Sequence, residues 1–413
     1  MDRIQYNPVK IIPGRLVTAL LAAFFFSSLR AQEADTSRSY LKDVVFAPVL
    51  RMVEKNNLQL KSAHYAGLST LSDMRSENSL GTTSVEYSPF YSGGISGLAS
   101  SELIVSQEVD FPTLYAARNK GMRSAGNVIG LEYSMLRRDI LIEAWQLCID
   151  LWAAERREEI LKRRLGMADS LVYAVSRRME RGEATKLDEN RVRLGKMTLM
   201  AEYGQNAVER DRLRHSLQAL NGGIPVDSVW RTVADVAVLP ACPVPEGLGG
   251  VSLENLVAEA NLTKARQDVK ISRQGWLPTL TVGYRRNTDG NEAFHGFIVG
   301  ASFPLFSASG RMKSARHRQA AAEWQLLEAE ASRKARLKSI LDEALGLDRM
   351  LQAYNDSLMS QTLSLLESSV LHGEMPLSEY LSESELIFVK MQEKLDLEVR
   401  LQKVYSTLMG CYM

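Results

Sequence analysis

The sequence predicts a mainly α-helical protein with a small β part, made twice within one chain. Three observations carry that expectation. The first is a heptad seam through Ile140, Ala144, Leu147, Leu151, Ala154, Glu158, Leu161, Leu165, Ala168, Val172, Val175 and Met179, apolar everywhere except Glu158. At 45% hydrophobic composition, chance would leave about half of such positions polar, so the sustained 3.5-residue period reads as a coiled-coil seam. The second is a drop in period from 3.5 to 2 in two short stretches, the pattern of β-strands. The third is recurrence: Phe111-Pro112 returns as Phe303-Pro304, and Gly182-Glu183 returns as Gly373-Glu374.

In chain order, residues 1–31 read as a signal peptide. Arg3, Lys10 and Arg15 precede an apolar core from Leu16 to Phe26, and Ala31 supplies a small residue at the cut. That core, about 11 residues, is shorter than the ~20 a spanning helix needs. Lysine and arginine total 50 against 49 acids, a balance without the footprint of a nucleic-acid binder. No later apolar run suits a transmembrane helix. An exported chain of this kind is periplasmic, secreted or an outer-membrane β-structure. Cys148, Cys242 and Cys411 are odd in number and far apart, so no disulfide framework or zinc site is expected, and they read as small buried hydrophobes.

Residues 32–223 form the first repeat. A helix is expected from about Tyr40 to Ser76, broken near Asn56-Asn57. Thr83, Val85 and Tyr87 then alternate with polar residues up to Pro89. After a Gly/Ser-rich loop, Leu103, Val105, Val109 and Phe111 alternate with Glu102, Ser106, Glu108 and Asp110. The two runs read as a β-hairpin over 82–111. It fits a transmembrane barrel hairpin or an amphipathic hairpin on a soluble core. Thr113 to Met179 then reads as one helix of about 100 Å at 1.5 Å per residue, with its tip near Gly182. A return helix follows from about Ala184 to Leu220, with Leu187, Leu194, Met197, Ala201 and Val208 on one stripe.

Residues 224–251, rich in Pro, Gly and Val, read as a linker or equatorial segment. Residues 252–413 repeat the plan. A helix runs over about 252–274. A β-hairpin spans 278–304, with a turn at Asn287-Thr288-Asp289-Gly290. One long helix runs from about Arg311 to His372, with its seam at Leu337, Ile340, Ala344, Leu347, Leu351, Tyr354 and Leu358. The tip lies near Gly373, and a return helix runs from about Leu377 to Met409. Four strands cannot close a barrel, and open sheet edges cannot sit in lipid. If these are membrane strands, several chains share one barrel.

This plan resembles the TolC family of outer-membrane efflux ducts. The resemblance is carried by Gly275-Trp-Leu-Pro-Thr-Leu, by Val299-Gly-Ala-Ser-Phe-Pro-Leu-Phe with Gly310-Arg311, and by the two tip segments beginning at Arg181 and Gly373. Gln107 to Lys120 is similar to the heavy-metal branch typified by CusC and CzcC. The resemblance covers nearly all of the chain after the signal peptide. It implies a homotrimeric α-barrel of long antiparallel coiled-coil helices below a shared 12-stranded outer-membrane β-barrel, four strands per protomer. It implies a passive exit duct, not an enzyme, for an inner-membrane pump of RND type and a periplasmic adaptor, with no cofactor. The cargo is heavy-metal cations or, as alternatives, drugs or a type I secretion substrate.

The same resemblance selects site residues. Glu379 matches an acid that rings the closed end of the tunnel; a second family acid falls on Ser382, so that part of the pattern is missing. Asp188 holds the corresponding place in the first half. Three copies of Glu379 about an axis would favour cations; the alternative is a solvated helix face, since Glu189, Glu383 and Glu385 are equally acidic neighbours. Gly182, Glu183, Ala184, Gly373 and Glu374 are the candidate adaptor contacts, although a tight α-turn needs glycine whatever it touches. Tyr87, Trp276, Tyr284, Phe294 and Phe297 fit an aromatic girdle or ordinary strand positions. The five histidines are scattered without ligand spacing, and no metal site is expected. A periplasmic coiled-coil adaptor or scaffold is the competing class, but it would carry one helical hairpin, whereas this sequence encodes two.

Overall fold

The computed structural model describes residues 45–91, 93–94, 98–234, 252–289, 292–304 and 308–410. The expected signal peptide, Cys242 and Cys411, and the glycines of the first hairpin loop at 97 and the second at 290 lie outside them. The elements run α1 (Ala47–Asn56), α2 (Leu58–Glu77), β1 (Thr83–Tyr91), β2 (Leu98–Val109), α3 (Pro112–Glu180), α4 (Lys186–Leu220) and α5 (Asp227–Ala234). They continue with α6 (Leu253–Gln274), β3 (Thr279–Asp289), β4 (Glu292–Ser302), α7 (Ala308–Leu351), α8 (Asp356–His372) and α9 (Leu377–Gly410).

Helix α3 is 69 residues long, about 100 Å at 1.5 Å per residue. Pro112 sits in its first turn, where a missing N–H costs nothing. Its seam is buried: Ile140, Ala144, Leu151, Ala154, Leu161, Ala168 and Val175 all face neighbouring helices. Glu158 belongs to the seam and turns toward α4. Its carboxylate meets Arg210, Lys162 at 2.8 Å and the Tyr203 hydroxyl at 3.1 Å. Burial by itself would raise its pKa, but these three partners hold it below the usual carboxylate range. One helical turn away from this pair, Asn206 donates to the Ala154 carbonyl at 2.8 Å. Polar contacts therefore fix the α3–α4 register, while leucine and alanine supply its burial.

The shorter helices are stacked beside this continuous one. Asn57 breaks α1 from α2 and accepts from the Leu60 N–H at 2.9 Å as a cap. It also donates to the Leu220 carbonyl at 2.9 Å, and Asn56 donates to Asn221 at 3.0 Å. The end of α4 thus abuts the start of α2, and both pack on α3. Gly222, at φ +67°, makes the joint possible, because a Cβ there would lie 2.6 Å from the Asn56 carbonyl. Around this joint lies the main core, in which Phe46 stacks on Trp230 at 5.8 Å and α1 and α5 wrap the middle of α3. Helices α6 and α9 both pack between α3 and α7.

Two sequence expectations are corrected. The expected single helix from Arg311 to His372 is two helices, parted between Leu351 and Asp356. Asn355 caps the second by accepting from the Leu358 N–H at 3.0 Å. The burial pattern changes phase there: Ala344 and Leu347 are buried before the break, Leu358 is exposed after it, and Leu363, Leu366 and Val370 become the buried stripe. A continuous helix could not serve both phases. The expected turn at Asn287–Asp289 is strand, because the β3–β4 ladder runs on to Asp289 opposite Glu292. Ladder hydrogen bonds there outweigh the turn preference of Asn and Asp.

All four strands form one antiparallel sheet in the order β1-β2-β3-β4. Rows cross it in register: Val85, Val105, Tyr284 and Phe297 form one, and Tyr87, Leu103, Arg286 and His295 the next. Gly283 lets β2 and β3 close, since a Cβ there would sit 2.7 Å from the Val105 carbonyl.

Candidate functional site

At the end of the helices remote from the sheet, the two α-turns form one apolar cluster. Leu171, Val175, Val192, Leu366, Val370 and Tyr380 are its buried members, with Ala184, Met375 and Leu377 packed against them. Both turns use the same backbone device. Gly182 (φ +76°) and Gly373 (φ +80°) adopt the left-handed conformation. The Glu183 N–H returns to the Arg178 carbonyl at 2.8 Å, and the Glu374 N–H to the Ser369 carbonyl at 2.9 Å. Gly182, Glu183, Gly373 and Glu374 are exposed, whereas Ala184 is half-buried against the cluster.

Arginines of α3 tie the two hairpins together. Arg178 donates to the Val370 carbonyl at 3.3 Å, and Arg163 reaches Glu367 at 3.2 Å. Arg164 is the most enclosed, with a side chain 9% exposed. It pairs with Glu385 of α9, approaches Glu202 of α4 at 3.5 Å and lies 4.7 Å over the Phe388 ring. Tyr380 is buried beside them, and burial pushes its phenol up to about 12, with the Glu367 charge adding to the shift and the Ser384 hydroxyl opposing it. None of these clamps was legible as a site in the sequence; the signal was only that α3 carries many arginines near its tip.

The acids near the tips differ in how much of their charge is engaged. Asp188 closes a capping box: its carboxylate accepts the Thr185 hydroxyl at 2.6 Å and the Thr185 N–H at 3.1 Å. Those two bonds, the hydroxyl first, hold its pKa below the ordinary aspartate value. Glu189 is buried beneath Lys186 and Arg193, and Glu385 is held by Arg164. Glu379 occupies the position in α9 that Asp188 holds in α4. There Pro376, with no hydroxyl or N–H to offer, stands in the place of Thr185. Glu379 and Glu383, one turn apart, are both exposed, and among the described residues neither makes an ion pair.

At the opposite end, the sheet segregates charge. One face carries Val85, Tyr87, Leu103, Val105, Val282, Tyr284, Phe297 and Val299; Phe297 is 90% exposed and Val299 81%. The other face carries all five strand carboxylates, Glu86, Glu102, Glu108, Asp289 and Glu292, with Arg285 paired to Glu102. The register therefore divides the expected girdle. Tyr87, Tyr284 and Phe297 share the apolar face, Phe294 stands on the acidic one, and Trp276 precedes β3, half-exposed.

Among the described residues no helix is long and apolar enough to cross a membrane, and no group of His, Cys, Asp and Glu could hold a metal ion. Cys148 is buried, and burial pushes its thiol far up.

One continuous 69-residue helix, a second long course broken after Leu351, stacked helices beside them and a four-stranded sheet at one end make up the fold of the TolC-like outer-membrane channels. A Pseudomonas aeruginosa membrane protein superposes with a TM-score of 0.72 at 17% identity, covering 90% of each chain. The Campylobacter jejuni outer membrane channel CmeC gives 0.73 at 14%, covering 90% of this chain and 86% of that one. CusC, a protein that forms a transmembrane channel, gives 0.66 at 17%, covering 88% and 91%. CusC fits no better than the others, so the fold does not single out its branch. No family model matches the sequence. No curated protein matches it either.

Proposed function

We propose that the chain is the outer-membrane exit duct of a tripartite efflux system, working as a homotrimer that extends into the periplasm. The observation that carries this reading is the arrangement of unsatisfied edges. Within the protomer wall the helices lie in the order α4, α3, α9, α8 toward the tips and α2, α3, α6, α7 toward the sheet. One lateral border is therefore made of β1, α2 and α4, all from the first half, and the other of β4, α7 and α8, all from the second. Large apolar side chains stand exposed along both: Tyr65, Leu194 and Val208 on the first, Trp324, Leu358 and Leu365 on the second. The stripe read from the sequence on α4 is thus turned away from α3 and toward a neighbour. Joining unlike borders head to tail makes a ring, which pairs every strand edge and removes the obstacle to placing the sheet in lipid. Three copies give the 12-stranded barrel, with the apolar face outward.

In this reading the duct conducts passively. The exposed tips, Gly182, Glu183, Gly373 and Glu374, meet a periplasmic adaptor that links the duct to an inner-membrane pump, of RND type by the resemblance. Glu379 lines the constriction, supported by its lack of a local partner, and Asp188 serves its own helix cap instead. Heavy-metal cations are the first cargo to test, on the resemblance of the stretch from Gln107 to Lys120; the fold is equally compatible with drug efflux or protein secretion. The deciding experiment is purification of the full chain with and without detergent, followed by sedimentation and planar-bilayer recording. The expected result is a detergent-dependent trimer that inserts and conducts, with Val208→Glu shifting it toward monomer. A wild-type chain that is a soluble monomer without detergent would sink the proposal.

A further inference from the structure

The apolar face of the sheet carries an arginine and a histidine that the duct reading does not use. Arg286 of β3 stands directly opposite His295 of β4. Both are exposed, and among the described strand residues no carboxylate shares their face. The contrast with the next residue is sharp: Arg285, on the other face, has Glu102 as its partner, whereas among the described residues Arg286 has no ion pair. Tyr284 completes the group. Its hydroxyl is hydrogen-bonded to His295 Nδ1, its ring stacks on the imidazole at 5.9 Å, and Phe297 packs edge-on at 6.4 Å. With the Tyr284 hydroxyl donating to Nδ1, the imidazole keeps its proton on Nε2, a donor on the same face as the Arg286 guanidinium.

We propose that Arg286, His295 and Tyr284 form a binding site for the phosphate of an anionic lipid in the outer leaflet, one site per chain. The inference rests on the reading of these strands as membrane strands. Depth supports it. The Arg286 row lies toward the hairpin loop from the row of Val85, Val105, Tyr284 and Phe297, and the following row is Pro89, Ser101, Thr288 and Ala293. The face therefore changes from apolar to polar at Arg286. A lipid-facing arginine costs about 2–4 kcal/mol at the midplane but about 0–1 near the interface, so the headgroup level is where it belongs. Chemistry supports it too, because guanidinium and imidazole N–H groups suit phosphate oxygens. The lipid, as opposed to a free anion, is indicated by Phe297 and Val299, one and two rows below on β4, which would take the acyl chains.

The test titrates the full chain in neutral-detergent micelles with phosphatidylglycerol or phosphatidylethanolamine and reads bound lipid by native mass spectrometry. The wild type is expected to prefer phosphatidylglycerol about fivefold per site, the scale of one cation near an anionic surface. Arg286→Gln combined with His295→Gln should bring the ratio near one. Arg286→Lys should keep most of the preference, and Arg285→Gln, on the opposite face, should leave it intact. An unchanged ratio in the double variant overturns the site. So does full displacement of the lipid by excess inorganic phosphate, which would make it a free-anion site. Bilayer conductance is recorded in parallel. Insertion without lipid preference refutes the site alone, while failure of the wild type to insert refutes the duct reading and the site with it.

Discussion

Replacing Arg164 by alanine tests whether the two helical hairpins are held together by a few clamps at the tip. Arg164 is enclosed between hairpins, but its partners Glu385 and Glu202 are 55% and 40% exposed. Solvent screening limits those ion pairs to about 1 kcal/mol together. The guanidinium lies over Phe388, which is 5% exposed, and that contact adds about 1 kcal/mol. Losing both removes about 2 kcal/mol of coupling, or roughly 30-fold in the equilibrium between docked and released hairpins. Amide hydrogen exchange over residues 377–390 should accelerate by about that factor, with α3 unaffected. Arg164→Lys should fall between, because lysine keeps the charge but loses the planar fork and the stacking. In the proposed duct, the alanine variant should spend more time in a higher-conductance state in planar bilayers. Exchange in α9 within about twofold of the wild type would refute the clamp.

Further expectations concern the remaining acids. Glu158→Ala leaves Arg210, with a side chain 23% exposed, facing the seam without its main partner; it should cost about 2 kcal/mol, read as a lower melting temperature, and replacing both residues by Leu and Met should recover most of the loss. Asp188 titrates below the ordinary aspartate value because the Thr185 hydroxyl and N–H favour its charged form. A lowered acid pKa contributes stability above the unfolded value and loses it as pH falls through the folded one. Protection of the α4 N-terminal amides should therefore hold down to about pH 4 and decline below it, and Asp188→Asn should flatten that dependence; an acid-insensitive wild type would contradict it. Glu379→Gln should weaken block of single-channel current by multivalent cations, and unchanged conductance and block would remove Glu379 from the constriction.

The seam of α3 was legible because burial along a straight helix follows a fixed period, and the residues from Ile140 to Val175 keep it. Glu158 was visible as the exception, yet its meaning was not: Arg210 and Tyr203 lie far along the chain, and only the folded hairpin brings them to it. The division of α7 from α8 was missed although Asn355-Asp356 is a good helix start. The seam through Leu351 and Tyr354 points onward to Leu358, and periodicity alone does not reveal that the wall behind it has shifted. The acids near the tips looked alike in the sequence. Thr185 and Pro376, three residues before each, are what distinguish Asp188 from Glu379, and that difference becomes physical only once hydrogen bonds are formed.

The sequence by itself determined the class of architecture, since heptads, alternating strands, left-handed glycines and their recurrence are local patterns set by backbone geometry. Within one strand it also fixed which residues share a face, because neighbours alternate, but the separation of Arg286 and His295 from Glu86, Glu102 and Glu108 came from the register between strands. Only the tertiary structure decided which apolar stripes are buried in the protomer and which are left at its borders. It also decided which charges find partners, because burial and ion pairing depend on what lies across the gap from each side chain.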